Sequence, residues 1–215
     1  MFLYHWIREN QFIFTLGIST ATLCVWIFYA HLLLLSHRRQ RRPKLIINRG
    51  AGRDLNSLCL ISNMSAEPVF INQIFFLLHT SKGVYACDVT DVREGGDEDN
   101  PREIVLSQAT HQGPLRQGDF THIGSFAALI RRTAKKHALD VDEHLFPSDG
   151  LTFHSIEIRV IAYYSSEPDA IGVMRGYELT GCEGICGLHA EDHQTKQFTT
   201  PRQRRWIRKR WMISD

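Results

Sequence analysis

Cys182, Cys186, His189 and His193 follow one another as Cys-x3-Cys-x2-His-x3-His, the residue types that could do metal chemistry at close spacing. Thiolates and imidazoles in this combination are the donor set of tetrahedral Zn²⁺. The spacing is short: zinc fingers place about a dozen residues between the Cys and His pairs so that a hairpin and a helix can converge. Gly181, Gly184 and Gly187 supply turns, so the segment reads as a glycine-rich loop, with a zinc or redox site as the alternative and no cofactor expected. His189-Ala190-Glu191 matches the H-x-E half of the zinc-deaminase signature, but no P-C-x-x-C follows it.

Two further clusters carry titratable groups. Asp140-Val141-Asp142-Glu143-His144 gathers acids and a base, a grouping common at turns and helix ends. The stretch Asp91 to Glu103 is rich in carboxylates and holds Gly95-Gly96 and Asn100-Pro101, but it departs from the D-x-[DN]-x-[DN]-G calcium pattern and reads as a solvated loop. P-loop, nucleophile-elbow, H-E-x-x-H and dinucleotide fingerprints are absent from the sequence. The expectation is therefore a non-enzymatic protein. A tethered enzyme or metal-dependent regulator using the Cys/His segment is the alternative.

The element that positions everything else is the uncharged run Phe12–Leu35, which ends in His37-Arg38-Arg39-Gln40-Arg41-Arg42-Pro43-Lys44. At about 1.5 Å per residue, about 24 residues span about 36 Å, enough to cross a hydrocarbon core of about 30 Å. Only a helix satisfies every backbone amide of a lone segment in lipid. A cleaved signal peptide fits less well, since its charge precedes a shorter apolar core. Tyr4 and Trp6 on one side and Trp26 and Tyr29 on the other suit interfacial belts. Arg8 is offset by Glu9 before the run, whereas four arginines and Lys44 follow it. The positive-inside rule then puts the N-terminus outside and the C-terminal domain in the cytoplasm, with a bacterial inner membrane as the expected compartment. His31 lies near the basic end and reads as a snorkelling imidazole. Gly17 and Ala21 form a small-xxx-small pair that gives weak support to a homo-oligomer through the helix.

The whole chain carries 25 Lys plus Arg against 23 Asp plus Glu, a formal net charge of +2, but the basic residues concentrate beside the apolar run and at the end of the chain. Next to a span such blocks favour anionic lipid headgroups over nucleic acid, at about 1 kcal/mol per Lys or Arg. A tethered nucleic-acid binder remains the third functional class. Five cysteines at irregular spacing argue against a disulfide framework and for a reduced compartment. Asn63-Met64-Ser65 matches a glycosylation sequon and reads as coincidence for a cytoplasmic domain.

Beyond the linker the periodicity is that of strands. Leu45-Ile46-Ile47 and Leu58-Cys59-Leu60-Ile61 are separated by the turn Arg49-Gly50-Ala51-Gly52-Arg53. Val69 to Leu78 reads as a long strand or one with a bulge, forming a hairpin with Val84 to Val89 through Ser81-Lys82-Gly83. Ile156, Ile158, Val160 and Ala162 alternate with Glu157, Arg159, Ile161 and Tyr163 as a half-buried strand, and Ile171, Val173, Tyr177 and Leu179 continue the pattern in a partner. A helix from Ser125 places Phe126, Leu129, Ile130 and Ala134 on one face. The predicted fold is one transmembrane helix followed by an antiparallel, immunoglobulin-like β-sandwich with one inserted helix and a basic C-terminal helix.

Thr200-Pro201-Arg202-Gln203 has the form of a helix start, with Thr as N-cap, Pro at the first helical position and Gln closing the box. In the helix that follows, Trp206, Ile207, Trp211 and Ile213 share one arc, and Arg204, Arg205, Arg208 and Lys209 the other. Insertion at an anionic leaflet and docking on the sandwich account for this pattern equally. The expected organisation is an N-terminal segment with its span over 1–36, a polybasic linker over 37–44, a β-sandwich over 45–199 and a basic amphipathic segment over 200–215. Expected membrane-surface contacts are Arg38, Arg39, Arg41, Arg42, Lys44, Arg204, Arg205, Trp206, Arg208, Lys209 and Trp211. The domain is expected to serve as a protein-interaction or assembly module near the bilayer, its protein partner unidentified.

Overall fold

A computed structural model describes residues 6, 11–40 (backbone only over 36–40), 43–92, 110–142, 145, 147, 150–164, 167–181 and 187–211. The chain divides into two compact units, Met1–Arg42 and Pro43–Asp215. It comprises one N-terminal apolar helix and a mainly antiparallel β domain with two sheets.

The apolar helix, α1, spans Gln11–Gln40. Its stretch Gln11–Leu35 is 25 residues long, apolar enough to cross a membrane, and unburied; by length and composition a signal sequence near an N-terminus meets the same measure. The hydroxyls of Thr15, Thr20 and Thr22 each donate to the carbonyl four residues earlier at 2.8 Å, so these polar atoms are satisfied within the helix itself. Tyr4, Arg8, Glu9, Arg41 and Arg42 lie outside the described residues.

The smaller sheet has the order β1-β2-β6, from β1 (Leu45–Arg49), β2 (Leu58–Asn63) and β6 (Phe120–Ser125). The larger sheet runs β10-β8-β7-β3-β4, from β3 (Val69–Thr80), β4 (Gly83–Asp88), β7 (Phe153–Tyr164), β8 (Ile171–Thr180) and β10 (Lys196–Phe198). Its edges are extended by β5 (Gly113–Leu115), which pairs with β3, and β9 (Gly187–Ala190), which pairs with β8. The hairpin anticipated between Val69–Leu78 and Val84–Val89 forms in the register Leu78 to Tyr85 and Thr80 to Gly83.

Alternation puts one face of each sheet into a common core. Leu45, Ile47, Cys59 and Ile61 from the smaller sheet meet Ile74, Phe76, Ile158, Val160 and Val173 from the larger. A register shift against β7 between Ile71 and Gln73 is the bulge that keeps Val69 and Ile71 on the same buried side as Ile74, Phe76 and Leu78. The helix from Ser125, α2 (Phe126–Lys136), fills the flank of this core with Phe126, Leu129, Ile130 and Ala134, the apolar positions read from the sequence. The Ser125 side chain caps it by accepting from the Ala128 amide at 3.2 Å. His137, just past its end, lies 2.8 Å from the Ala86 carbonyl through Nε2, and Arg132 donates to the Asp88 carbonyl at 3.1 Å, which fasten α2 to β4.

The sequon is structural. Asn63 is fully buried; its amide donates to the carbonyls of Glu67 (3.0 Å) and Leu115 (2.9 Å), and its oxygen accepts from the Ser65 amide (2.8 Å). These bonds join the β2–β3 connection to β5 and leave the nitrogen unavailable to modification in the folded chain.

The other face of the larger sheet departs from the half-buried expectation. Ile161 is fully buried there, because the C-terminal helix α3 (Pro201–Arg210) lies across it and forms a second apolar cluster with Ile207 and Trp211. The reason is a gap in the side-chain cover: Gly172 of β8 has no Cβ, so Ile207 and Trp211 press against its backbone.

Candidate functional site

Arg49 ends β1, and Arg53 follows across the turn Gly50-Ala51-Gly52. Arg175 stands in β8 at the inward phase of an otherwise apolar alternation, between Val173 and Tyr177. With Asn48, Tyr177, Leu188, His189, Ala190 and His193, these arginines line a cleft of about 580 Å³. Small-molecule sites commonly occupy about 300–1,000 Å³.

Each wall is held by hydrogen bonds to backbone. Arg49 donates to the Leu188 carbonyl at 2.5 Å, tying β1 to β9. Arg175 donates to the Ile47 carbonyl at 2.6 Å and to Asn48 Oδ1 at 2.5 Å. Its guanidinium also lies 5.6 Å from the centroid of the Tyr177 ring, whose other neighbour is Phe126 at 5.0 Å in an edge-on arrangement. Thr195 Oγ1 accepts from the Ile47 amide at 3.0 Å and Gln197 Nε2 donates to the Leu45 carbonyl at 2.5 Å, so the outer edge of β1 is covered by side chains of the β10 segment.

The electrostatics of the cleft are one-sided. None of the nine lining residues is acidic. Among the described residues no carboxylate pairs with Arg49, Arg53 or Arg175. Asp192, close enough to sense Arg175 and His193, is instead paired with Lys196 at 2.7 Å, and that bond holds its carboxyl below the usual range. The buried Tyr177 hydroxyl and Arg175 Nε have no hydrogen-bond partner among the described residues. Burial pushes the Tyr177 phenol well above its ordinary range, with the neighbouring Cys59 adding to the effect and the Arg175 and Arg49 guanidiniums opposing it. Burial raises the Cys59 thiol likewise, which makes it an inert core residue.

Of the metal candidates, Cys182 and Cys186 lie outside the described residues. His189 sits in β9 and His193 in the connection to β10, both on the wall of the arginine cleft. Three guanidiniums in that cleft disfavour a cation beside these imidazoles and favour an anion. Among the described residues no group of three or more His, Cys, Asp or Glu is placed to hold a metal ion. Glu143 and His144 of the acid-base cluster, and residues 93–103 of the acidic loop, also lie outside the description.

The expected membrane-surface residues separate. Arg38 and Arg39 lie in α1, and Lys44 is exposed ahead of β1. Arg205, Trp206, Arg208 and Lys209 are exposed on α3, Trp206 at 46 %. Two positions are corrected. Trp211 is only 2 % exposed, under Arg159 at 5.2 Å and edge-on to Phe198 at 5.3 Å. Arg204 is also buried, donating to the Thr199 carbonyl at 2.7 Å and to Glu167 at 2.7 Å. The arc containing Ile207 and Trp211 therefore faces the sheet, and Arg204 follows it inward because a carboxylate waits there. The Thr200 capping box forms as read from the sequence.

Sequence reasoning passed over Arg49, Arg53 and Arg175. A legible signal existed for each: paired arginines flanking a Gly-Ala-Gly turn, and a charge at an inward strand position where an apolar residue is the rule. Comparison with known proteins gives no match, neither to a family model, nor to a curated protein, nor to a solved structure.

Proposed function

We propose that the protein is a non-enzymatic, single-pass membrane protein whose β domain works on the cytoplasmic side, in a bacterial inner membrane, as a protein-interaction or assembly module. The observation that carries this reading is α1: its apolar length Gln11–Leu35 is wholly unburied and is followed by Arg38, Arg39, Arg41, Arg42 and Lys44. In water such a surface is unstable; in lipid it is at home. The β domain starts at Leu45, a few residues beyond the end of α1, so its tether is short. Two facing sheets of antiparallel strands support the immunoglobulin-like architecture, a common scaffold for binding surfaces. The exposed Arg205, Trp206, Arg208 and Lys209 of α3 support contact with anionic headgroups.

The test is topology. Full-length protein should stay in carbonate-washed membranes with its N-terminal segment intact, and a reporter after Asp215 should be active only in its cytosolic form. Release of a shortened chain into the soluble fraction would make α1 a signal sequence, and activity of a periplasmic reporter would reverse the orientation.

A further inference from the structure

We propose that the cleft lined by Arg49, Arg53, Arg175, Tyr177, His189 and His193 binds a phosphate group, carried by a small molecule or by a lipid headgroup. The inference goes beyond the anchoring reading and does not depend on it.

Charge comes first. Three guanidiniums face a concavity with no acidic residue in its wall, and no carboxylate pairs with them among the described residues. Like charges gathered without a counter-charge repel one another. Here two of the three are held in place by bonds to backbone carbonyls, Arg49 to Leu188 and Arg175 to Ile47. The strand ends are thereby fixed, and the unused guanidinium nitrogens are organised before any ligand arrives. Asp192, the nearby acid that could neutralise Arg175, is taken by Lys196.

Available donors come second. The Tyr177 hydroxyl and Arg175 Nε are sealed behind the wall, so the donors left to meet a ligand are the terminal guanidinium nitrogens and the two imidazoles. Donor number then decides the chemistry. The wall offers three guanidiniums and two imidazoles. A carboxylate has two oxygens to offer, whereas a terminal phosphate presents three and up to two charges, and the planar Arg fork matches it in bidentate fashion. The cleft of about 580 Å³ is larger than a bare phosphate needs and leaves room for the group that carries it.

The experiment uses the full chain in a non-ionic detergent, dialysed to equilibrium against labelled pyrophosphate or against dihexanoyl phosphatidic acid as a soluble headgroup. Saturable binding at one molecule per chain is expected for at least one probe, and the probe that binds identifies the source of the phosphate. Arg53→Gln, whose side chain makes no hydrogen bond or ion pair among the described residues, should weaken binding by about ten- to hundredfold without changing the melting temperature. His193→Gln, at an exposed position of the wall, should weaken it by about threefold or more. Replacing Arg38, Arg39, Arg41 and Arg42 together by Gln should leave it unchanged. The proposal is overturned if neither probe binds, or if binding survives both cleft variants.

Discussion

Gly172 and Trp211 meet without a side chain between them: a Cβ at position 172 would lie 2.7 Å from Trp211 Cζ3 and 2.6 Å from Ile207 Cδ1. The β8 backbone thus forms the floor on which α3 rests. Gly172→Ala should displace the helix and cost about 1–3 kcal/mol by overpacking. Denaturant unfolding of the fragment from Pro43 onward measures this, and faster proteolysis after Phe198 should accompany it. Unchanged stability would mean that α3 is not seated on β8.

The two tryptophans of α3 should behave differently. Trp211→Ala empties a buried site and should cost about 3–5 kcal/mol. Trp206 is half-exposed and stacks on Phe198 with centroids 5.9 Å apart, so Trp206→Ala should cost less than about 1 kcal/mol while weakening binding to vesicles containing anionic lipid. That binding should fall as salt shortens the Debye length from about 10 Å at 0.1 M to about 3 Å at 1 M. Melting and vesicle sedimentation, run on both variants, separate docking from lipid contact.

Arg204 is bonded to Glu167 and to the Thr199 carbonyl, with Glu167 partly open to solvent. Because water screens the carboxylate, Arg204→Ala should cost about 1–3 kcal/mol rather than the full penalty of a buried broken pair. Arg205→Ala, one residue on and exposed, should change stability by less than about 0.5 kcal/mol. Equal effects at the two positions would remove the ion pair from the account of how α3 docks.

Asn63→Asp should destabilise more than its size suggests. It replaces an amide that donates to two carbonyls with a carboxylate facing the same two oxygens, at a cost of about 2–5 kcal/mol in a fully buried site. The variant should melt far below the parent at pH 7, and recover in part at a pH low enough to protonate the new carboxyl.

Alkali should weaken the fold through Cys59 and Tyr177. Both are buried and hold their protons well above their ordinary values of 9.0 and 10.0. The folded chain therefore binds protons that the unfolded chain releases, so this stability is complete below pH 9 and lost as pH rises beyond it, at up to about 1.4 kcal/mol per pH unit for each group. Melting temperature measured from pH 7 to 11 should fall above pH 9, and Cys59→Ala should flatten the fall while lowering the starting value. Cys59 should also resist maleimide at pH 8 until the chain unfolds.

Local pattern was enough for much of the fold. The apolar length of α1, the caps at Ser125 and Thr200, the hairpin at Ser81-Lys82 and the inward rows of β3, β7 and β8 each follow from residues within a turn or a strand of one another. Periodicity of this kind reports that a face is apolar. It does not report what covers the face. Whether Trp211 met lipid or protein was decided by Gly172, and Arg204 was drawn inward by Glu167, which lies 37 residues away in the chain. The cleft is the extreme case: Arg175 reaches the Ile47 carbonyl across 128 residues, and His189 and His193, spaced as if for a metal, come to face Arg49 and Arg53 because β9 pairs with β8 while β1 packs beside it. Spacing along the chain constrains only neighbours, so the identity of residues in the sequence determined which groups were available, and the packing of two sheets determined which of them share one volume of space.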